Sequence, residues 1–143
     1  MTQTERIADV MGGAATLGGA VDSVRALEVA VSTGLPKQAL RLTVSRGCAS
    51  AKEARTMLYR VVPEATYKRR SRLTPAQSER TERLARVIAA AEYVWSNRAD
   101  AQAWLAKPHP ELEDRSPLEA AMSELGARRA EELLNKIFYG IPA

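Results

Sequence analysis

The sequence contains very little of the chemistry used in metal sites and thiol catalysis. It has one cysteine, Cys48, and one histidine, His109, among 143 residues. A disulfide needs two cysteines, and a Cys/His metal site or a thiol–imidazole pair would require these two residues to meet by coincidence. We therefore predict no catalytic residue, no bound metal and no cofactor.

Long apolar runs are also missing. No stretch approaches the roughly 18 consecutive apolar residues of a membrane-spanning helix. The amino terminus carries Glu5 and Asp9, where a secretory signal would carry basic residues. These features predict a cytoplasmic protein with no membrane partner.

The modest net charge of +4 conceals an uneven distribution along the chain. Residues 36–72 contain ten basic and two acidic residues, a net charge of +8, whereas residues 1–35 and 73–143 each carry −2. The whole basic excess therefore belongs to one block of the chain, and such a block is typical of proteins that bind nucleic acid.

A glycine-rich segment near the amino terminus lacks the side chains needed to build a core. Met11–Ala20 contains four of the eight glycines and no charged residue. These glycines are not followed by the Gly-Lys-Ser/Thr sequence of a phosphate-binding loop, which argues against nucleotide binding. We expect residues 1–34 to form a flexible leader, with at most one short helix over Val21–Val31.

The rest of the chain carries helix signals. A hydroxyl residue followed three positions later by Glu or Gln marks a capping box, and there are three of these: Ser50 with Glu53, Thr74 with Gln77, and Ser116 with Glu119. Helices are therefore predicted to begin near residues 51, 75 and 117. Trp95 completes an apolar stripe on the second of them and is expected in the core. No segment alternates convincingly between apolar and polar residues, so the predicted fold class is all-α.

The basic block predicts a helix-turn-helix module over residues 35–73. Short helices are expected at about 36–46, 51–61 and 63–72, and the third follows the second almost without a linker. In a helix-turn-helix the second helix of the pair lies in a DNA groove. Ala65 is expected to face the scaffold. The predicted DNA-binding residues are Thr66, Tyr67, Lys68, Arg69, Arg70 and Arg72.

Two other interpretations of this block remain open. A run of charged residues is often only a solvated surface. RNA is a weaker alternative because Tyr67 is a single ring rather than an aromatic platform.

Sequence words across most of the chain resemble a known family. Val62–Arg70 is followed by Leu73–Arg80 and Arg83–Val87, and the second half contains Trp104-Leu105, Pro108, Pro110, Leu112, Ser116–Glu119 and Glu131–Gly140. In order and spacing, residues 35–143 are similar to the Xre/MbcA/ParS group of bacterial antitoxins. Three departures stand out: His109 replaces a usual Asn, Asp114 replaces a usual Gly, and Val61-Val62 replaces a glycine before the helix-three proline.

The resemblance implies an antitoxin of a type II toxin–antitoxin system. Its partner would be a RES-domain toxin, an enzyme that depletes cellular NAD, and catalysis would belong to that partner rather than to this chain. The resemblance also implies a homodimer that represses its own operon by binding operator DNA.

A small helical toxin-binding domain is implied over residues 74–143. The family's carboxy terminus enters the active-site cleft of the toxin, so the tail is expected to occlude the NAD site, with the Ala143 carboxylate standing where a phosphate would bind. Trp104 either packs the proline-rich loop or contacts the toxin. The implied toxin-binding residues are Trp104, Tyr139, Gly140, Ile141, Pro142 and Ala143.

Two rival functions follow from the same residues. The chain could be a stand-alone transcriptional regulator or a centromere-like DNA-binding protein whose second module only dimerises. It could also be an enzyme with an inconspicuous carboxylate pair, although no nucleophile–base arrangement supports this.

Overall fold

Helices account for nearly all of the regular structure. The computed structural model describes residues 1–141, and within this part of the chain there is no β-strand, which confirms the all-α prediction. The helices are α1 (Gln3–Val10), α2 (Gly13–Leu17), α3 (Val24–Thr33), α4 (Lys37–Gly47), α5 (Ala51–Val61), α6 (Glu64–Arg69), α7 (Pro75–Trp95), α8 (Arg98–Ala106), a 3-10 helix (Pro110–Leu112), α9 (Pro117–Ala120) and α10 (Glu124–Phe138).

Three helices begin where their capping residues predict. The Thr74 and Ser116 hydroxyls accept hydrogen bonds from the Gln77 and Glu119 amides, and both capping boxes are reciprocal. The Ser50 hydroxyl accepts from the Glu53 amide at 3.1 Å. Each cap satisfies an amide that the first helical turn leaves without a partner, so the predicted starts at residues 51, 75 and 117 are confirmed.

The long helix α7 lies at the centre of the core. Leu84, Val87 and Ile88 are fully buried, and helices α1, α3, α4, α8 and α10 all pack against α7. Burial of one such side chain contributes roughly 1.5–3 kcal/mol. A single helix therefore joins the basic block to the carboxy-terminal region through one shared core.

The amino-terminal segment differs from the leader with at most one short helix that its glycine content suggested. It forms three helices, and Ile7, Val10 and Met11 on and just after α1 are buried against the rest of the core. These residues recur at helical spacing, which gives α1 an apolar face despite the glycine-rich stretch that follows it.

Helix α6 is shorter than predicted. It ends at Arg69 instead of Arg72, and Arg70 is already extended. The chain extends there because it pairs with the residues around the start of α4: the Lys37 amide donates to the Ser71 carbonyl at 3.2 Å, and the Leu73 amide donates to the Leu35 carbonyl at 2.8 Å. Tertiary hydrogen bonds have replaced the last helical turn.

Charged side chains also join α7 to α10. The Arg86 guanidinium contacts Glu82 at 3.3 Å, Glu124 at 3.1 Å and Glu131 at 2.9 Å. Burial raises the pKa of the Glu82 carboxyl, and the attraction of Arg86 offsets this only in part. Ionised Glu82 is therefore a net cost to the folded state.

We predict that Glu82→Gln is at least as stable as the wild type at pH 7. A raised carboxyl pKa means that the folded state holds its proton more tightly than the unfolded state, so Glu82 costs stability as the pH rises through its folded pKa. The advantage of the variant should therefore shrink as the pH falls and Glu82 becomes protonated in both states. Urea unfolding between pH 4 and pH 8 measures this, with Glu79→Gln on the exposed face of α7 as the control. A variant advantage that grows as the pH falls would contradict it.

Candidate functional site

The basic block folds into two helices joined by a tight turn. Helix α5 buries Ala54, Met57, Leu58 and Val61, whereas none of the residues of α6 is buried. Between them, Val62 is buried and lies in the extended region at φ −136°. The turn therefore closes without a left-handed residue, which explains how this chain dispenses with a glycine there.

One face of α6 is fastened to α4 and α5. The Tyr67 ring meets the Tyr59 ring edge-on, with centroids 6.3 Å apart. Lys37 lies 4.8 Å from the Tyr67 ring centroid, and its Nζ donates to the Tyr67 carbonyl at 3.0 Å. Burial raises the pKa of the Tyr67 phenol, although the Arg41 charge acts in the opposite direction. The half-buried Tyr67 ring thus docks α6 against α4 and α5.

Thr66 and Arg72, two further predicted DNA-binding residues, lie in different surroundings. Thr66 is half-buried. Arg72 is exposed, but its Nη1 donates to the Gly34 carbonyl at 2.6 Å. This bond helps to hold the extended segment after α6 against the start of the α4 region.

The remaining predicted residues project from the outer face. Lys68, Arg69 and Arg70 are exposed, and so is Ala65, which corrects the expectation that Ala65 faces the scaffold. Lys68 approaches Glu64 only at 3.8 Å. Within residues 1–141, Arg69 and Arg70 have no carboxylate partner.

Arg41 enlarges this surface and was missed as a site residue. It is exposed on α4, one turn after Lys37, and its charge is felt by the Tyr67 phenol. The sequence signal was present, since Arg41 belongs to the +8 block, but only the fold brings its charge within reach of Tyr67 on α6. We call Arg41, Lys68, Arg69 and Arg70 the basic surface.

The carboxy-terminal residues leave α10 through a glycine turn. Gly140 adopts a left-handed conformation at φ +68°, and the Ile141 amide donates to the Lys136 carbonyl at 2.8 Å. Left-handed glycine is a common way to end a helix. Tyr139 is 72% exposed and Ile141 is 54% exposed, whereas the predicted site residues Pro142 and Ala143 lie outside the described residues.

Trp104, near the end of α8, lies at the edge of the core. Trp104 is half-buried and packs both on the main core and on the small cluster of Leu112, Ala120 and Leu133. The structure thus gives Trp104 a packing contact.

The loop after α8 accommodates two of the three departures from the family pattern, His109 and Asp114. The His109 Nδ1 accepts from the Glu111 amide at 3.1 Å, which is the capping contact an Asn would make. Asp114 is left-handed at φ +61°, the conformation that a glycine adopts without strain and that Asp tolerates better than most residues.

An exposed group of aromatic rings lies where α7 and α10 end. The Tyr93 and Phe138 rings stack with centroids 5.5 Å apart, and the Tyr139 ring packs edge-on against Phe138 at 5.1 Å. We call these three residues the aromatic patch. Trp95, two residues beyond Tyr93, is 37% exposed, so the expectation that it is a core residue is wrong.

Other chemistry is sparse. Within the described residues, no group of three or more His, Cys, Asp or Glu side chains could hold a metal ion. Burial raises the pKa of the Cys48 thiol to about 11, so it is protonated at neutral pH. No helix in residues 1–141 is long and apolar enough to cross a membrane.

Family comparisons agree with both halves of this geometry. Residues 26–86 match the antitoxin Xre-like helix-turn-helix domain, and residues 90–140 match the antitoxin Xre/MbcA/ParS C-terminal toxin-binding domain. No curated protein matches the chain significantly. The first match is wider than the 35–73 module expected from sequence, and the two matches adjoin within α7.

Each of the two matched regions contains one of the two exposed surfaces described above. The first contains α5, the turn and α6 with its exposed cations, and the second contains α8 to α10 with the exposed carboxy-terminal residues. Consecutive matches that cover most of the chain support its assignment to the Xre/MbcA/ParS family, as a DNA-binding antitoxin.

Proposed function

We propose that this chain inhibits a cognate RES-domain, NAD-depleting toxin and represses its own operon as a DNA-bound homodimer. The observation that carries the proposal is the presence of an Xre-like helix-turn-helix domain and an Xre/MbcA/ParS toxin-binding domain on one chain. It functions in the cytoplasm and has no catalytic role of its own.

The DNA-binding half of the proposal rests on the basic surface. Helix α6 enters the major groove, with Arg69 and Arg70 directed to base edges or phosphates and with Lys68 and Arg41 directed to the backbone. Unpaired guanidinium groups suit this task because they can bond guanine or phosphate in a bidentate manner. Thr66, Tyr67 and Arg72 contribute mainly by holding α6 and its following segment in position.

A homodimer fits the same arrangement. One six-residue helix reaches few base pairs, and helix-turn-helix proteins commonly double their site by binding as two-fold dimers whose half-sites lie about one helical turn apart.

The toxin-binding half rests on the exposed carboxy terminus. Residues Tyr139–Ala143 enter the toxin's active-site cleft and occupy its NAD site, with the terminal carboxylate of Ala143 in the position of a substrate phosphate. The exposure of Tyr139 and Ile141 supports this role, because neither side chain is needed to complete the antitoxin core. Trp104 contributes indirectly, because its packing supports α10 and the loop that follows α8.

Removal of the tail should separate toxin binding from toxin inhibition. Deletion of Gly140–Ala143 is expected to restore NADase activity at least tenfold in the mixed complex. The described part of the tail adds no buried residue, so the antitoxin fold should persist. The assay is NAD consumption by the toxin at saturating antitoxin. Replacement of the four residues by Gly-Ser-Gly-Ser keeps the chain length and the terminal carboxylate but removes the Ile141 and Pro142 side chains, so it is the matched control that separates the carboxylate from those side chains. Full inhibition by the deletion variant would refute occlusion by the tail.

The alternative is a stand-alone helix-turn-helix regulator or centromere-like DNA-binding protein. The basic surface alone would serve such a protein equally well. Co-expression with the neighbouring open reading frame distinguishes the two, because an antitoxin predicts toxicity only when this chain is absent.

A further inference from the structure

An open groove of about 360 Å³ lies beside the aromatic patch. Its walls come from three helices: Gln3 and Arg6 from α1, Tyr93 and its neighbours from α7, and Phe138 from the end of α10, followed by Tyr139. Apart from Arg6, no charged residue lines it. The groove is therefore a mixed surface of aromatic rings and uncharged polar groups, among them Gln3 and Asn135, with one cation at its rim.

Helix α1 is an addition to the two recognised domains. The family matches begin at residue 26, yet α1 is packed on α7 and buries Ile7 and Val10. This burial fixes the position and orientation of α1, and therefore where Gln3 and Arg6 lie in the groove. The position of Arg6 is therefore a property of the fold and not of a loose terminus.

The Arg6 guanidinium has two contacts within the described residues, and neither is with a carboxylate. Its Nη1 donates to the Met1 carbonyl at 2.9 Å, and its Cζ lies 4.3 Å from the Tyr93 ring centroid. The two carboxylates that line a neighbouring cleft with Arg6 are already engaged, because Arg46 bonds Glu92 through two nitrogens, each at 2.8 Å, and Asp9 at 3.1 Å. Within residues 1–141, Arg6 has no ion-pair partner.

A protein that covered this groove would remove water from the Arg6 guanidinium. A desolvated cation without an anion is costly, whereas a carboxylate placed against it restores the lost solvation and adds orientation. Exposed aromatic rings supply the apolar anchors that interface centres favour. The groove thus suits a segment that places an apolar side chain against the three rings and an Asp or Glu against Arg6.

We propose that this groove binds such a segment of the toxin, and that Arg6 on α1 is a specificity-determining contact for it. The inference rests on the proposed function. The occupant is argued from continuity, because Tyr93, Phe138 and Tyr139 belong to the stretch that matches a toxin-binding domain and adjoin the tail. The amino-terminal helix thereby adds to that domain a contact that its own residues do not supply.

The test measures affinity for the purified protein encoded beside this gene, by calorimetry with the full chain. Arg6→Glu reverses the charge and should weaken binding at least tenfold. The difference in affinity between this variant and wild type should become smaller at higher salt, because salt screens the ion pair. Arg6→Met keeps the side-chain stem over Tyr93 and removes only the charge, so it should also weaken binding. Arg25→Glu, a reversal on exposed α3, is the matched control and should bind like wild type. Thermal unfolding of each variant checks that the fold persists.

The outcomes separate this inference from the function beneath it. If wild type binds the toxin and Tyr139→Ala weakens binding while both Arg6 variants bind normally, the groove proposal is wrong and the antitoxin function stands. If the Arg6 variants change only self-association, measured by sedimentation, the occupant is a second copy of this chain and the proposal is overturned. Failure of wild type to bind the toxin at all contradicts the proposed function itself.

Discussion

Replacement of Arg69 and Arg70 by alanine is expected to abolish most specific binding to operator DNA. A side chain that bonds a base edge contributes about 1–3 kcal/mol, so loss of both should weaken binding by roughly two to four orders of magnitude if both contact bases. If one of them contacts only phosphate, the salt dependence of the binding constant should instead fall by about one unit in slope. Titrations at several salt concentrations distinguish these contributions.

The structure supports this prediction because the two arginines have no other task. Both are exposed, and within residues 1–141 neither forms an ion pair, so their removal should leave the unfolding free energy almost unchanged. Tyr67 provides the contrast: Tyr67→Ala should lower stability as well as DNA binding, because its ring packs on Tyr59.

Two controls make the experiment specific. Arg128→Ala removes the same charge from an exposed position on α10 and should leave operator affinity nearly intact. Toxin neutralisation by the double variant should equal that of wild type. If neutralisation is lost together with DNA binding, the division of labour between the two halves of the chain is wrong.

Gly126→Ala is expected to destabilise the fold by about 3 kcal/mol or more. Gly126 lies in the first turn of α10, where a Cβ would overlap the Ala120 carbonyl oxygen that ends α9. The obstacle is backbone, which cannot rotate away as a side chain can. The sign is informative, because a glycine-to-alanine change inside an ordinary helix stabilises by up to about 1 kcal/mol.

Two other glycines calibrate this result in urea unfolding. Gly47→Ala brings a Cβ to 2.5 Å from Ile88 Cδ1, the mobile end of a side chain, and should cost less. Gly19→Ala meets nothing within 4 Å and should be nearly neutral. Equal stability of Gly126→Ala and wild type would show that α9 and α10 can separate without cost.

Local signals predicted the helices well and the amino terminus poorly. The caps at Ser50, Thr74 and Ser116 act within four residues, so the sequence alone located the starts of α5, α7 and α9. The end of α6 could not be predicted in this way, because the segment after Arg69 pairs with residues more than thirty positions earlier.

In the candidate sites, too, the sequence predicted local features and could not predict those that depend on tertiary contacts. The charge block predicted that basic residues would concentrate around α6, but it could not sort the docking residue Tyr67 from the exposed Arg69 and Arg70, since that depends on how α6 rests on α4 and α5. The groove beside the aromatic patch was invisible in sequence, because Arg6 and Phe138 lie at opposite ends of the chain.

The sequence by itself determined the all-α class, three helix starts, the location of the basic block and the resemblance to an antitoxin family. These depend on hydrogen bonds a few residues apart, on composition and on the order of short words. The tertiary structure decided that α1 belongs to the core, which cations remain unpaired and which aromatic rings share a surface. Those properties arise only when α7 gathers distant segments around it, because burial and ion pairing depend on neighbours in space and not on neighbours along the chain.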